Sequence, residues 1–152
     1  NERKAITDAI NDFERNMSYP FVPGVENYIK SLKSNGIRTA VVTSSNLLKM
    51  ENVYRCHPGF REMFDIILTS EDFSESKPSP YCYLKAMRLF GAGPEDCVVF
   101  EDSLAGLQAA RASGAFVTAL TTTNPEEVVR EYADLVIRDF NDCGIRANGL
   151  QH

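Results

Sequence analysis

Apolar positions along the chain follow two alternating periods. Ile6, Ile10, Phe13 and Met17 recur at i, i+4, i+7 and i+11, one face of a helix. That helix ends before Tyr19-Pro20, because proline biases its predecessor away from helical geometry. Pro20 and Pro23 bracket a short, stiff connector. Val25, Tyr28, Ile29 and Leu32 mark a second helix, closed at Gly36. Residues 37–42 are apolar and β-branched enough for a strand buried on both faces. Thr43-Ser44-Ser45-Asn46 then offers capping side chains to a helix near 47–54. Residues 56–63 read as an irregular connection, 65–69 as a strand and 70–80 as a polar loop. The pattern continues with a helix over 81–90 closed by Gly91 and a strand over 97–100 ending in Glu101-Asp102. A helix over 103–112 capped by Gly114 and a strand over 116–120 follow. Asn124-Pro125 opens another helix by the N-cap and N1-proline rule, and 135–137 is a last short strand. Strands alternating with helices predict an α/β fold, a three-layer, Rossmann-like parallel sheet with helices on both faces.

Composition narrows the classes of function. A length of 152 residues fits about one domain, and 43% apolar residues is in the globular range. No apolar run approaches the roughly 18 residues a membrane helix needs. The net charge is -5 and no basic patch is visible, which argues against nucleic acid and membrane surfaces as partners. The polar start at residues 1–4 is not a secretory signal. Cys56, Cys82, Cys97 and Cys143 show no CxxC spacing, and His57 is the only internal histidine, so no zinc cluster is expected. A reduced, cytoplasmic protein is the expectation.

In parallel sheets, ligands bind beyond the carboxyl ends of the strands. Three groups of polar residues meet that rule. Thr43 and Ser44 end one strand, Lys77 lies in the loop after the next, and Glu101-Asp102 ends a third. A hydroxyl beside free helix-start N–H groups can hold phosphate oxygens. A lysine is a compact charge that offsets a transferring phosphoryl group. Adjacent carboxylates repel unless a cation or donors intervene, and such a pair can hold Mg²⁺. Each group alone also has a plainer use: Thr43-Ser44 as a helix cap, Lys77 as a surface loop residue.

The order Thr-Ser, Lys-Pro, Glu-Asp resembles the haloacid dehalogenase superfamily. The segments that carry the resemblance are Val41-Val42-Thr43-Ser44-Ser45-Asn46, Ser76-Lys77-Pro78-Ser79-Pro80, and Val98-Val99-Phe100-Glu101-Asp102-Ser103-Leu104-Ala105-Gly106. Phe64-Asp65-Ile66-Ile67 and Pro23-Gly24-Val25 also fit, and the resemblance runs from about Tyr19 to Asp142. It is nearest to the β-phosphoglucomutase-like branch, which carries a helical cap. The resemblance implies that Thr43 binds the transferring phosphate and that Ser44, Ser45 and Asn46 share its turn. It implies that Lys77 balances charge, that Asp102 is a Mg²⁺ ligand, and that Glu101 is its acidic companion. Residues 1–18 would then be the last cap helix, 19–23 the hinge, and 24–152 the core.

The family's first motif, an apolar strand ending Asp-x-Asp, has no counterpart in the chain. Asp139-Phe140-Asn141-Asp142 has the wrong spacing and follows a late strand. The expectation is therefore a fragment that lacks both the nucleophilic aspartate and the middle strand of the sheet, with a missing N-terminal segment as its natural partner. The full-length protein is expected to be a Mg²⁺-dependent phosphatase or sugar-phosphate mutase acting on a small phosphorylated metabolite through an aspartyl-phosphate. This chain alone would be inactive. Metal-free dehalogenation is an alternative that the Glu101-Asp102 pair disfavours. A non-catalytic phosphate- or metal-binding module is another.

Overall fold

Successive side chains of the inner strands enter two different cores. Val41, Val98 and Phe100 belong to one, and Ala40, Val42, Cys97 and Val99 to the other. Side chains of a strand alternate faces, so such a sheet must be covered on both sides. The computed structural model describes residues 21–142 in full and residues 4–7 as backbone. Among these, the sheet consists of β1 (Lys4–Thr7), β2 (Thr39–Val42), β3 (Ile66–Leu68), β4 (Cys97–Glu101), β5 (Phe116–Leu120) and β6 (Leu135–Ile137). The order is β3-β2-β1-β4-β5-β6, and every pairing is parallel. Helices α1 (Val25–Ser34), α2 (Leu47–Cys56) and α3 (Phe60–Met63) cover the first face through Tyr28, Ile29, Leu32, Met50, Val53 and Phe60. Helices α4 (Tyr81–Phe90) and α5 (Leu104–Ser113) cover the second, joined by Val129 of the short α6 (Glu126–Val129). The three-layer α/β architecture is the one the sequence pattern implies.

Two expectations are corrected. The sheet does not lack its middle strand: Lys4–Thr7 pairs with β2 on one side and β4 on the other. The expected helix from Ile6 fails at its first two residues, which are strand. The physical reason is the demand of the sheet. Without a strand between them, β2 and β4 would leave rows of buried N–H and C=O groups unpaired, and that demand outweighs a local period of 3.6. The remainder of the expected cap helix, the start of the hinge at Tyr19-Pro20 and Cys143 lie outside the described residues. The second correction is α3, a helical turn inside the connection expected to be irregular; Phe60 anchors it in the first core.

The connector after Pro20 is fixed where it enters the core. Phe140, just past β6, donates its N–H to Pro23 O at 3.0 Å. Gly24 has a φ of 84°, and a Cβ there would lie 2.4 Å from Asn141 Oδ1. Only glycine satisfies both the left-handed backbone and the close approach.

Candidate active site

The chain leaves β1 for β2 and β3 on one side, then returns to place β4, β5 and β6 on the other. The crevice at such a switch point is where open parallel sheets bind ligands. The carboxyl ends of β2 and β4, on either side of β1, carry Thr43 and Glu101-Asp102.

Thr43 continues β2 by donating its N–H to Leu68 O at 3.0 Å. Its side chain is fully buried, and Oγ1 accepts the Ser45 N–H at 3.0 Å. Used as an acceptor in this bond, the hydroxyl keeps its proton for a second partner. Ser44 is exposed, Ser45 is buried, and Asn46 caps α2 by accepting the Lys49 N–H at 2.8 Å. The helix cap is thus Asn46 rather than Thr43-Ser44, which leaves Thr43 for another use.

Lys77 lies beyond β3, next to Pro78, with which it forms a cis peptide bond. The loop folds its side chain inward until only 5% of it is exposed. Nζ donates to Val42 O at 3.3 Å and to Glu101 Oε1 at 3.3 Å. The lysine therefore bridges the ends of β2 and β4, and reading it as a surface loop residue fails.

Glu101 is fully buried. Besides Lys77, Oε1 accepts the Tyr83 hydroxyl at 2.6 Å. Oε2 accepts the Ser103 hydroxyl at 2.8 Å, the Ser103 N–H at 3.0 Å and the Asp102 N–H at 3.2 Å. Both oxygens are thus held by protein donors, and the carboxylate serves as the counter-charge of Lys77. Gly106 makes the room: a Cβ there would sit 2.1 Å from Glu101 Cδ.

Asp102 is also buried, and its surroundings differ. Thr122 and Thr123 donate their hydroxyls to Oδ2 at 3.1 and 2.5 Å, and Asn124 Nδ2 donates to the backbone O at 3.3 Å. These hydroxyls orient the carboxylate. Among the described residues no group of three or more His, Cys, Asp or Glu side chains is placed to hold a metal ion. A single carboxylate is nonetheless compatible with Mg²⁺, which takes one or two carboxylates and completes its shell with waters and substrate phosphate oxygens. Asp102 has that chemistry. A cleft of about 70 Å³ opens beside these groups, lined by Ser44, Ser70, Phe73, Ser76 and Lys77. It admits a few water-sized groups rather than a whole metabolite.

Sequence reasoning singled out Thr43, Lys77, Glu101 and Asp102, and the fold brings them to one end of the sheet. It missed Tyr83, Ser103, Thr122 and Thr123. Thr122 and Thr123 follow β5 as Thr43 follows β2, so the strand-end rule already pointed to them. Ser103 caps α5 by accepting the Gly106 N–H at 3.1 Å, a use its N-cap position predicts. Tyr83 carried no signal beyond the apolar period of α4.

A strand-end threonine, a buried lysine–carboxylate pair and a second carboxylate thus stand together at one end of a parallel α/β sheet. The family model described as haloacid dehalogenase-like hydrolase matches residues 2–114, and the chain belongs to that family. It is 42% identical over 127 residues to protein CbbY of Cereibacter sphaeroides, covering 80% of this chain and 54% of that one. It is 33% identical over 129 residues to a bifunctional riboflavin kinase/FMN phosphatase of Arabidopsis thaliana, covering 85% of this chain and 34% of the relative. Among solved structures, a CbbY variant from Rhodobacter sphaeroides in complex with xylulose-(1,5)bisphosphate superposes with a TM-score of 0.75 at 34% identity, covering 85% of this chain and 58% of that one. The chain thus spans little more than half, or less, of the length of these relatives.

Proposed function

We propose that the full-length protein is a Mg²⁺-dependent phosphoryl-transfer enzyme, a phosphatase or sugar-phosphate mutase, acting on a small phosphorylated metabolite. One observation carries the reading: Lys77 Nζ bridges Val42 O at the end of β2 and Glu101 at the end of β4, beside Thr43 and Asp102. Named relatives support it, since one is an FMN phosphatase and a structural neighbour holds a sugar bisphosphate.

In this reading the Thr43 hydroxyl and the N–H groups of the 43–46 turn bind the oxygens of the transferring phosphate. Lys77 offsets the charge that gathers on them. Asp102 would hold Mg²⁺, which when bound would offset negative charge on the reacting groups. Glu101 holds Lys77 rather than the metal. The nucleophilic carboxylate comes from an Asp-x-Asp outside the 152 residues. It attacks phosphorus, an aspartyl-phosphate bond forms, the ester P–O bond breaks, and the second aspartate protonates the departing oxygen. Water then hydrolyses the acyl phosphate. Substrate specificity falls to a cap over the site, as the family resemblance implies. Among the described residues no helix is long and apolar enough to cross a membrane.

Hydrolysis of p-nitrophenyl phosphate by the full-length protein tests the proposal. Turnover should require Mg²⁺ and vanish with EDTA, and Asp102→Ala should abolish it. Unchanged turnover by Asp102→Ala, or activity indifferent to EDTA, would refute the assignment.

A further inference from the structure

Among the described residues two donors reach Glu101 Oε1, and the two distances are unequal. The Tyr83 hydroxyl lies at 2.6 Å and Lys77 Nζ at 3.3 Å. Tyr83 is fully buried in α4, on the sheet face opposite the aromatic cluster of α1. Its ring also flanks the lysine, whose Nζ is 5.2 Å from the ring centroid. Hydrogen bonds to an ionised acceptor shorten and strengthen, so the phenol is the firmer partner of this oxygen.

The inequality has a consequence for any step in which Lys77 answers to a new negative charge. A buried carboxylate left short of donors is costly, and that cost would hold Lys77 back. A phenol already bound to the same oxygen removes most of it. The carboxylate stays in place, satisfied on Oε1 by Tyr83 and on Oε2 by Ser103 and the Asp102 N–H, while the ammonium shifts towards a phosphoryl group.

We propose that Tyr83 is a positioning residue for phosphoryl transfer, its hydroxyl holding Glu101 in place while Lys77 follows the transferring charge. The inference rests on the phosphoryl-transfer reading above. It goes further by assigning a rate-setting role to a helix residue that touches neither phosphate nor metal.

The test is Tyr83→Phe in the full-length protein, which removes one oxygen and leaves the ring packing. Without the phenol, Oε1 loses its nearer donor and the bond to Lys77 tightens. Turnover of p-nitrophenyl phosphate should show kcat lowered about tenfold, the worth of one hydrogen bond to a charged group, with KM within about twofold. The Lys77 ammonium, followed by ¹⁵N NMR, should titrate at higher pH than in the wild type, because a closer carboxylate favours its charged form. In a Lys77→Met background the same substitution should leave the residual rate unchanged. An unaltered kcat together with an unaltered Lys77 titration overturns the proposal. A variant unfolded at the assay temperature also overturns it, in favour of a purely structural role. Absence of wild-type turnover would instead sink the phosphoryl-transfer reading, and the Lys77 titration would still decide whether Tyr83 controls the lysine.

Discussion

Lys77 Nζ lies 3.3 Å from Glu101 Oε1, and both side chains are almost wholly removed from solvent. Replacing one partner of a buried pair leaves an uncompensated charge, at a cost of about 3–5 kcal/mol. Glu101→Ala should therefore destabilise by that amount in urea unfolding. The double variant Lys77→Met/Glu101→Leu should recover much of the loss, since a buried pair adds little over apolar residues of similar volume. Its phosphatase activity should stay absent. Recovery of stability without activity would show that the pair is kept for chemistry; equal loss in single and double variants would show that packing around it matters more than charge.

Gly106 offers a sharper test of the same carboxylate. In the body of a helix, Gly→Ala ordinarily stabilises by about 1 kcal/mol. Gly106 stands in α5, where a Cβ would fall 2.1 Å from Glu101 Cδ and 2.4 Å from each of its oxygens. Gly106→Ala should therefore reverse the ordinary sign, destabilising by about 1–3 kcal/mol as overpacking does, and should lower kcat by moving Glu101. A stabilised, fully active variant would mean that the carboxylate has room to move.

Much of this architecture is legible in the residues, and the exceptions have physical causes. The helix over Tyr81–Phe90 and the strands over Phe116–Leu120 and Leu135–Ile137 fall where pattern and punctuation put them. Gly91 and Gly114 both take the left-handed backbone at the helix ends, as their positions suggest. Thr43, Lys77 and Asp102 are found by one rule, because parallel sheets gather strand ends. What local pattern does not carry is contact across the sequence. Tyr83 meets Glu101 from 18 residues away, and nothing in its own neighbours distinguishes it from a core aromatic. Lys4–Thr7 likewise takes its conformation from two neighbours far along the chain, against a helical period in its own segment.

Tyr28 supplies a pH test unconnected with the site. Its ring packs edge-on against Phe100 at 5.7 Å and near Phe140 at 5.4 Å. Its buried hydroxyl has no hydrogen-bond partner among the described residues. Burial pushes the phenol well above its ordinary value of about 10. The folded state thus keeps a proton that the unfolded state releases, so the contribution is fully present below pH 10 and is lost as pH rises further. Tyr28→Phe should raise stability by about 1 kcal/mol at neutral pH, where an unsatisfied hydroxyl is removed. It should also flatten the decline above pH 10. A Tyr28→Phe variant with an unchanged alkaline limb would locate the titration elsewhere.

The source of the nucleophile is open to direct test at one residue. β1 ends at Thr7, which pairs with Val41 on one side and Phe100 on the other. The next residue in the sequence is Asp8, followed by Ala9 and Ile10. Covalent phosphoryl transfer of the proposed kind needs a second carboxylate two positions on, to protonate the leaving oxygen, and Ile10 supplies none. An Asp-x-Asp outside these residues meets both needs. Asp8→Asn in the full-length protein should then leave Mg²⁺-dependent turnover within about twofold, as expected of a residue outside the chemistry. The isolated chain should release no phosphate from p-nitrophenyl phosphate. A fall of more than about a thousandfold on Asp8→Asn, as expected for loss of a nucleophile, together with turnover by the isolated chain, would move the attacking carboxylate to Asp8 and make the strand Lys4–Thr7 its carrier.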